Sequence, residues 1–212
     1  MKKKIWIGVV ALVTVLVVSL GVGSTLAYLS DIDEKANHME LGQVQGHIDE
    51  DKWPGDQDIV DGGTYDKNPK VVNENVETPA YVRARVVSSD SRVGVTCNTA
   101  DSKTFTLGSI AEGTYGDWVY SGGYFYYNGV LQPSGQAGDT TGSLFESFTV
   151  SVPDEIKDQI FVGDLESGTE YGFDVYVMAE LVQASGLPIT YGDNEAQNAM
   201  ASFAYLEEKN AQ

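Results

Sequence analysis

The stretch "PAYVRARVVS", residues 79–88, decides the fold class because its side chains alternate between two kinds. A period of two is typical of a β-strand that buries one face and exposes the other. We therefore expect the apolar side to lie in the core and the side that carries the arginines to face water. The two sides are Ala80, Val82, Ala84 and Val86, and Tyr81, Arg83 and Arg85.

Two further stretches predict strands of the same kind. "GFDVYVMAELVQA", residues 172–184, has apolar residues at every second position from Phe173 to Leu181, and we expect this longest strand to be central. "SLFESFTVSV", residues 143–152, also alternates, although Glu146 interrupts its apolar face. Both stretches therefore predict strands with one side in the core.

A hairpin is predicted in "YFYYNGVLQP", residues 124–133. Its Asn128-Gly129 dipeptide lies between apolar flanks and tolerates the positive φ angles of a two-residue type I′ turn. We therefore expect strand Tyr124–Tyr127 to pair with strand Val130–Gln132.

The strands and turns together favour an all-β fold. The chain has 23 glycines, and turn dipeptides such as Gly122-Gly123 separate short strands without alternating helices. This pattern predicts a jelly-roll-like two-sheet β-sandwich with short helices. One helix should end the fold, because Asn194 can cap it and apolar residues follow at helical spacing. These residues are Ala196, Met200, Phe203 and Leu206.

The first 27 residues have the order of a secretory signal peptide: basic, apolar, then small. Thr25 and Ala27 provide the small side chains that a signal peptidase needs. We expect cleavage between Ala27 and Tyr28, which leaves residues 28–212 as a single β-sandwich domain. An uncleaved membrane anchor stays open as an alternative, because residues 5–27 carry no charge.

The mature chain would be strongly acidic. The full chain has 13 basic and 31 acidic residues and a formal net charge of −18, and cleavage removes three lysines and no acidic residue, which gives −21. Such a chain repels phosphate backbones and anionic lipids. We therefore expect no nucleic-acid partner and, after cleavage, no membrane partner. Raised salt should ease its self-association.

No catalytic or metal-binding motif stands out in the sequence. His38 and His47 do not lie at a metal-ligand spacing, and no serine occupies a G-x-S-x-G elbow. We therefore predict a protein that is not an enzyme, with no catalytic residue, no metal and no cofactor. Cys97 is the only cysteine, which excludes an intrachain disulfide; its thiol is either a core side chain or exposed.

Two biased stretches leave alternatives open. The acidic tract "HIDEDKWPGDQDIVDGG", residues 47–63, offers six carboxylates and is either a solvated loop or a calcium site. "DWVYSGGYFYY", residues 117–127, contains six aromatic rings, which either pack as core and cross-strand pairs or form a platform for sugars.

Four blocks of the chain, taken in order, resemble the TasA/camelysin group of SipW-dependent secreted proteins of Gram-positive bacteria. The first is "TLAYLSDIDEKANHMELGQV", residues 25–44. The second, "DKNPKVVNENVETPAYVRARV", residues 66–86, resembles the clostridial, BsaA-like branch, with Asn68 where that branch has Asp. Residues 117–150 and 171–186 resemble two further blocks of the same branch. The matching elements of the first block are Tyr28-Leu29, Asp31, Asn37 and Met39–Gly42.

This resemblance implies a jelly-roll-like subunit that is exported, cut by a SipW-type signal peptidase and assembled outside the cell, in the extracellular matrix or at the cell surface. Copies would join head-to-tail into biofilm matrix fibres, with the freed segment, residues 28–44, adding as a donor strand to the next subunit. A minor anchoring or accessory matrix subunit is a further candidate partner. The expected donor residues are Tyr28, Leu29, Ile32, Met39 and Leu41.

Three alternatives to this function stay open. Residues 39–44 fit an ordinary first strand of their own subunit equally well. The aromatic stretch fits a surface adhesin or a carbohydrate-binding module. Camelysin-like relatives have been described as metalloproteases, although no zinc motif in this chain supports that activity.

Overall fold

The computed structural model describes residues 44–52, 60–156 and 173–211, and within these ranges the chain forms eleven strands and one α-helix. A single 3-10 turn covers Asp154–Ile156. The strands are β1 (Gly46–Asp49), β2 (Thr64–Asp66), β3 (Lys70–Asn73), β4 (Ala80–Ser88), β5 (Gly94–Asn98), β6 (Thr104–Thr106), β7 (Gly113–Tyr115), β8 (Trp118–Ser121), β9 (Tyr124–Tyr127), β10 (Ser147–Ser151) and β11 (Val175–Gln183), and the helix is α1 (Glu195–Asn210).

Two antiparallel sheets form a β-sandwich, which confirms the predicted fold class. One sheet has the order β11-β4-β9-β8-β7 and the other has the order β2-β10-β5-β6. Rings meet between the sheets, since the centroid of Phe105 on β6 lies 4.8 Å from that of Phe125 on β9. Strands β1 and β3 form a separate antiparallel pair. The largest fully buried side chains of the core between the sheets are Trp118, Phe125, Phe145, Phe148, Leu131 and Leu144.

Strand β4 confirms the predicted alternation on its core side, but its other side does not face water as expected. Tyr81 and Arg83 are buried, and Arg85 is the first exposed residue on that side. The reason is that α1 packs on this face, with Phe203 of the helix in one cluster with Tyr81 and Tyr126 of the sheet. The five-stranded sheet is therefore covered on both faces over part of its length.

The predicted hairpin at Asn128-Gly129 is wrong. Strand β9 instead follows β8 through Gly122-Gly123, whose φ angles of 58° and 88° suit a type I′ turn. The Asn128 side chain has another use, because its Oδ1 accepts a hydrogen bond of 3.2 Å from the N–H of Ala196 in α1. After this bend, Leu131 forms an isolated antiparallel bridge with Ala80 of β4.

The expectation that the longest strand is central is also wrong. Strand β11 shows the predicted alternation, but among the described strands it pairs with β4 alone and therefore ends the sheet. Alternation reports which faces of a strand are buried and says nothing about how many neighbours the strand has. A long apolar strand can thus lie at an edge.

One smaller prediction is confirmed, and the alternative left open for Cys97 is decided. Asn194 caps α1, because its Oδ1 accepts a 2.9 Å hydrogen bond from the N–H of Gln197. Cys97 is a fully buried core residue, and burial raises the pKa of its thiol. In the part of the chain that the structure describes, no helix has the length and hydropathy needed to cross a membrane.

Candidate functional site: the outer edge of β11

The backbone of β11 presents a long row of hydrogen-bonding groups away from β4. Two bonds fix the phase of the ladder: Ser89 donates to the carbonyl of Asp174 and Ala184 donates to the carbonyl of Pro79, each at 2.9 Å. In an antiparallel ladder, bonded and non-bonded residues alternate. The even-numbered residues of β11 therefore bond to β4, and the odd-numbered residues direct their N–H and C=O groups outward. We call these groups the outer edge; its residues are Val175, Val177, Ala179, Leu181 and Gln183.

The outer edge differs from the other ends of the two main sheets in length and in protection. Strands β2, β6 and β7, which end the sheets elsewhere, have three residues each, whereas β11 has nine. Proteins usually protect a long edge with Lys, Pro or a bulge. Strand β11 contains no Lys, Arg or Pro, and its single charged residue, Glu180, binds Arg83. In the part of the chain that the structure describes, the edge is thus long and its strand lacks these protective residues.

A partly apolar surface lies beside this edge on the side of the sheet that α1 covers only in part. Four of its residues are exposed or half-buried. Arg85 is exposed and Val87 is half-buried, while Tyr176 and Met178 are 37% and 40% exposed. Met178 lies opposite Arg85, and Tyr176 lies opposite Val87. We call these four residues, Arg85, Val87, Tyr176 and Met178, the flanking patch. The ring of Tyr124 lies next to it, with the Arg85 guanidinium 4.2 Å from the ring centroid.

Arg83 marks the limit between the covered and the open part of this face. Its Nη2 donates to Glu180 Oε2 on β11 and its Nη1 donates to Glu207 Oε1 on α1, both at 2.6 Å. Its guanidinium also lies 4.0 Å from the Tyr124 ring centroid and 4.4 Å from that of Phe203. Burial acts to lower the pKa of Arg83, but hydrogen bonds to the two carboxylates outweigh it and raise that pKa. Arg83 is therefore a permanent charge that joins the helix to the sheet.

The N-terminal end of the described fold lies close to β11. Val44, the first described residue, is buried in the core. A Cβ atom at Gly46 would lie 2.6 Å from the Val72 carbonyl oxygen and 2.8 Å from Leu181 Cδ2, so only glycine fits there. Gly46 of β1 therefore lies against the core-facing side chain of Leu181 on β11.

The predicted cleavage and donor residues lie outside the described residues. This applies to Ala27, Tyr28, Leu29, Ile32, Met39 and Leu41, to residues 1–27, to His38, and to Asp56 and Asp58 of the acidic tract.

The described carboxylates of the acidic tract are engaged locally. Glu50 lies 3.0 Å from Lys67 Nζ, and Asp51 lies 3.1 Å from Lys70 Nζ. His47 Nδ1 lies 3.0 Å from Glu74 Oε1. Within the described ranges, no three His, Cys, Asp or Glu side chains are grouped so that they could hold a metal ion.

The aromatic stretch packs mainly as core. Trp118 and Phe125 are fully buried and Tyr126 lies under α1, so these three rings cannot stack on a sugar. Tyr120 is half-buried and lines an open cleft of about 430 Å³ beside the N-terminal end of α1. The cross-strand interpretation therefore accounts for most of these rings.

The sequence alone did not identify the outer edge or the flanking patch. The sequence did contain a signal for them, because an apolar strand of nine residues without Lys, Arg or Pro lacks the residues that usually protect an edge from pairing with another strand.

Comparison with protein-family models, with curated proteins and with solved structures finds no match to this chain.

Proposed function

We propose that the mature chain is a secreted, non-catalytic structural subunit that polymerises into extracellular fibres of the biofilm-matrix type. Each subunit donates residues 28–43 to the outer edge of β11 in the next subunit; Val44, the last residue of the predicted donor segment, is excluded because it is buried in the core of its own subunit. The observation that carries this proposal is the nine-residue edge of β11, which has one neighbour among the described strands and no protective residue. The resemblance to the TasA/camelysin group supports the same function.

Strand addition explains how a strongly acidic chain associates with itself. Main-chain hydrogen bonds provide affinity that does not depend on net charge, and alternate side chains provide register. Donor and acceptor are different surfaces, so the contact is heterologous and continues as a filament. Cleavage after Ala27 frees the donor segment, so that export and competence to polymerise arise in one step.

Electron microscopy of the mature protein tests this function. Protein that starts at Tyr28 should form fibres, whereas uncleaved protein or protein with an N-terminal tag should not. Deletion of residues 28–33 should abolish the fibres because it removes Tyr28, Leu29 and Ile32. Monomers in every sample, or fibres of unchanged length after the deletion, would contradict the proposal.

Disulfide trapping tests the acceptor strand. Single cysteines at positions 29–33 of one chain are mixed with Met178→Cys in a second, differently tagged chain. Alternate donor positions should link to position 178, because side chains of a strand point to one face at every second residue. Cys97 should not compete, since burial raises the pKa of its thiol. Val76→Cys is the matched control, because Val76 is 74% exposed in the loop between β3 and β4; equal linking to it would exclude β11.

A further inference from the structure

The open cleft of about 430 Å³ beside the start of α1 lies at the end of the five-stranded sheet opposite to β11. Its volume falls in the range of small-molecule sites, about 300–1,000 Å³. Strands β7 and β8 provide its floor, and the first turns of α1 provide a wall. We call it the α1 cleft; the residues that line it include Glu112, Thr114, Val119, Ser121, Gln197 and Met200.

The floor of the α1 cleft follows from the period of two in β7 and β8. Thr114 lies opposite Val119, and Ser121 lies two residues further along β8 on the same face. This is the face on which α1 packs, because Val119 pairs with Tyr126, which lies in one cluster with Phe203 of the helix. The floor therefore places one apolar side chain, Val119, between two hydroxyl groups.

The wall of the α1 cleft comes from the start of the helix. Gln197 lies in the first turn, and Ala196 and Met200 are four residues apart and therefore share one side of the helix. Asn128 fixes the position of this turn, because its Oδ1 accepts a hydrogen bond from the N–H of Ala196. Asn194 caps the same turn. The wall thus combines carboxamide groups with the apolar side chain of Met200.

The polar groups of the α1 cleft keep hydrogen-bonding capacity for a ligand. Within the described residues, no hydrogen bond involves the hydroxyls of Thr114 and Ser121 or the side-chain amide of Gln197. Asn128 and Asn194 accept through Oδ1, which leaves the Nδ2 of each as a donor. A hydroxyl both donates and accepts, and a carboxamide offers one group of each kind. The cleft can therefore bind a ligand that has donors and acceptors on several sides.

The α1 cleft carries little charge for such an acidic chain. Glu112 is the only charged residue among the described residues that line it, and its Oε1 accepts a hydrogen bond of 3.0 Å from the N–H of Gly122. The formal net charge of −18 repels an anionic ligand. A neutral sugar fits the cleft better than a peptide, because its hydroxyls point outward around the whole ring, whereas an extended peptide directs its N–H and C=O groups to two sides.

We propose that the α1 cleft binds a short segment of a neutral polysaccharide. Thr114, Ser121 and Gln197 form hydrogen bonds with the sugar hydroxyls, and Val119 and Met200 contact its C–H groups. The inference goes beyond the proposed function and does not depend on it, because the cleft and the outer edge lie at opposite ends of the sheet. In a fibre, copies of the cleft would repeat along its length, and many weak contacts would combine into tight binding of a long polysaccharide.

Calorimetric titration of the mature protein tests this inference, with neutral oligosaccharides of glucose and of N-acetylglucosamine as probes. A neutral probe should bind, and oligogalacturonate, which is acidic, should not. Thr114→Val and Gln197→Ala should each weaken binding about three- to tenfold, because each removes a hydrogen bond to the sugar. Unfolding curves of each variant show that the fold is kept.

Two substitutions of the same kind outside the α1 cleft serve as matched controls. Thr104→Val changes an exposed residue of β6 in the other sheet, and Gln136→Ala changes an exposed residue in the loop before β10. Both should leave the affinity for the neutral probe unchanged. Equal weakening by the control and cleft variants would overturn the inference.

Three further results would also overturn it: no binding of any neutral probe, equal binding of oligogalacturonate, or binding of a neutral Gly-Ser peptide in place of the sugars. The titration can be read on monomers and on fibres alike. Failure of the mature protein to polymerise would therefore overturn the proposed function and leave this inference standing.

Discussion

The five-stranded sheet is covered on one face by the other sheet and on part of the opposite face by α1, and the two contacts use different kinds of side chain. The face toward the other sheet is packed mainly by apolar groups, such as Val82, Phe125 and Val177. The face toward α1 combines apolar contacts with hydrogen-bonded tyrosine and arginine side chains, in which Tyr81 donates to Glu195 and Arg83 donates to Glu180 and Glu207.

The difference shows how burial can end in the middle of a strand. The core face is continuous, because the core-side residues of β4 and β11 are buried along both strands. The helix face is covered from Tyr81 to Arg83 and is open from Arg85 onward. The polar bonds hold α1 in one position, and the remainder of the face, whose residues are exposed or half-buried, is the flanking patch.

Truncation on the core face should have the largest effect on stability. Phe125 is fully buried, with ring centroids of Phe105 and Tyr120 each at 4.8 Å. We expect Phe125→Ala to lower the free energy of unfolding by about 3–5 kcal/mol, from lost burial and the remaining cavity. Denaturant unfolding of the mature protein measures it. The exposed Val76→Ala should change it by less than about 0.5 kcal/mol; a similar loss in both variants would contradict the assignment of Phe125 to the core.

Removal of the charge on the helix face should have a smaller effect. We expect Arg83→Met to cost about 2–3 kcal/mol, because it leaves Glu180 partly buried without its partner. Glu207→Gln should cost less than about 0.5 kcal/mol, since the Glu207 side chain is 60% exposed and water replaces its partner.

A double variant separates two explanations for the Arg83 effect. If the unpaired carboxylate is the cause, Arg83→Met combined with Glu180→Leu should recover much of the stability lost in the single variant. The same denaturant curves measure it. A double variant as unstable as Arg83→Met would instead show that the arginine stabilises through its ring contacts with Tyr124 and Phe203.

The comparison of the faces also shows what the sequence could predict. Period-two alternation correctly located β4, β10 and β11 and their core-facing residues, because burial against an apolar layer needs only hydrophobicity at every second position. The capping residue of α1 was predictable for a similar reason, since the Asn194 bond to Gln197 is local in sequence. These features depend on neighbours along the chain.

The errors concern contacts between distant parts of the chain. The residues around Arg83 do not indicate that a helix more than a hundred residues later in the chain covers it. The Asn128-Gly129 dipeptide fits a hairpin turn by sequence, but the Asn128 side chain instead accepts a hydrogen bond from α1. The edge position of β11 depends on which strands pair, and alternation carries no information about pairing. The sequence patterns therefore could not predict the outer edge or the flanking patch, although they did show that β11 has no Lys, Arg or Pro to protect an edge.

A smaller effect than that of Arg83 is expected from the Tyr81 hydroxyl, which donates a 2.9 Å hydrogen bond to Glu195 Oε2. Tyr81→Phe should cost about 1 kcal/mol at neutral pH, because it removes one hydrogen bond and leaves the ring packing intact. Denaturant unfolding at neutral pH measures the cost, and Tyr205→Phe, on the less buried side of α1, is the matched control.

The same hydroxyl should make stability depend on alkaline pH. Burial, followed by the hydrogen bond to Glu195, raises the pKa of Tyr81 from 10.0 to about 12. The folded protein then keeps a proton that the unfolded chain releases, so this contribution is complete below pH 10 and is lost as pH rises toward 12. Tyr81→Phe should therefore show a shallower fall in stability across that window. Tyrosinate absorbance should lose its component near pH 12 in the variant; loss of a component near pH 10 instead would mean that α1 does not shield this ring.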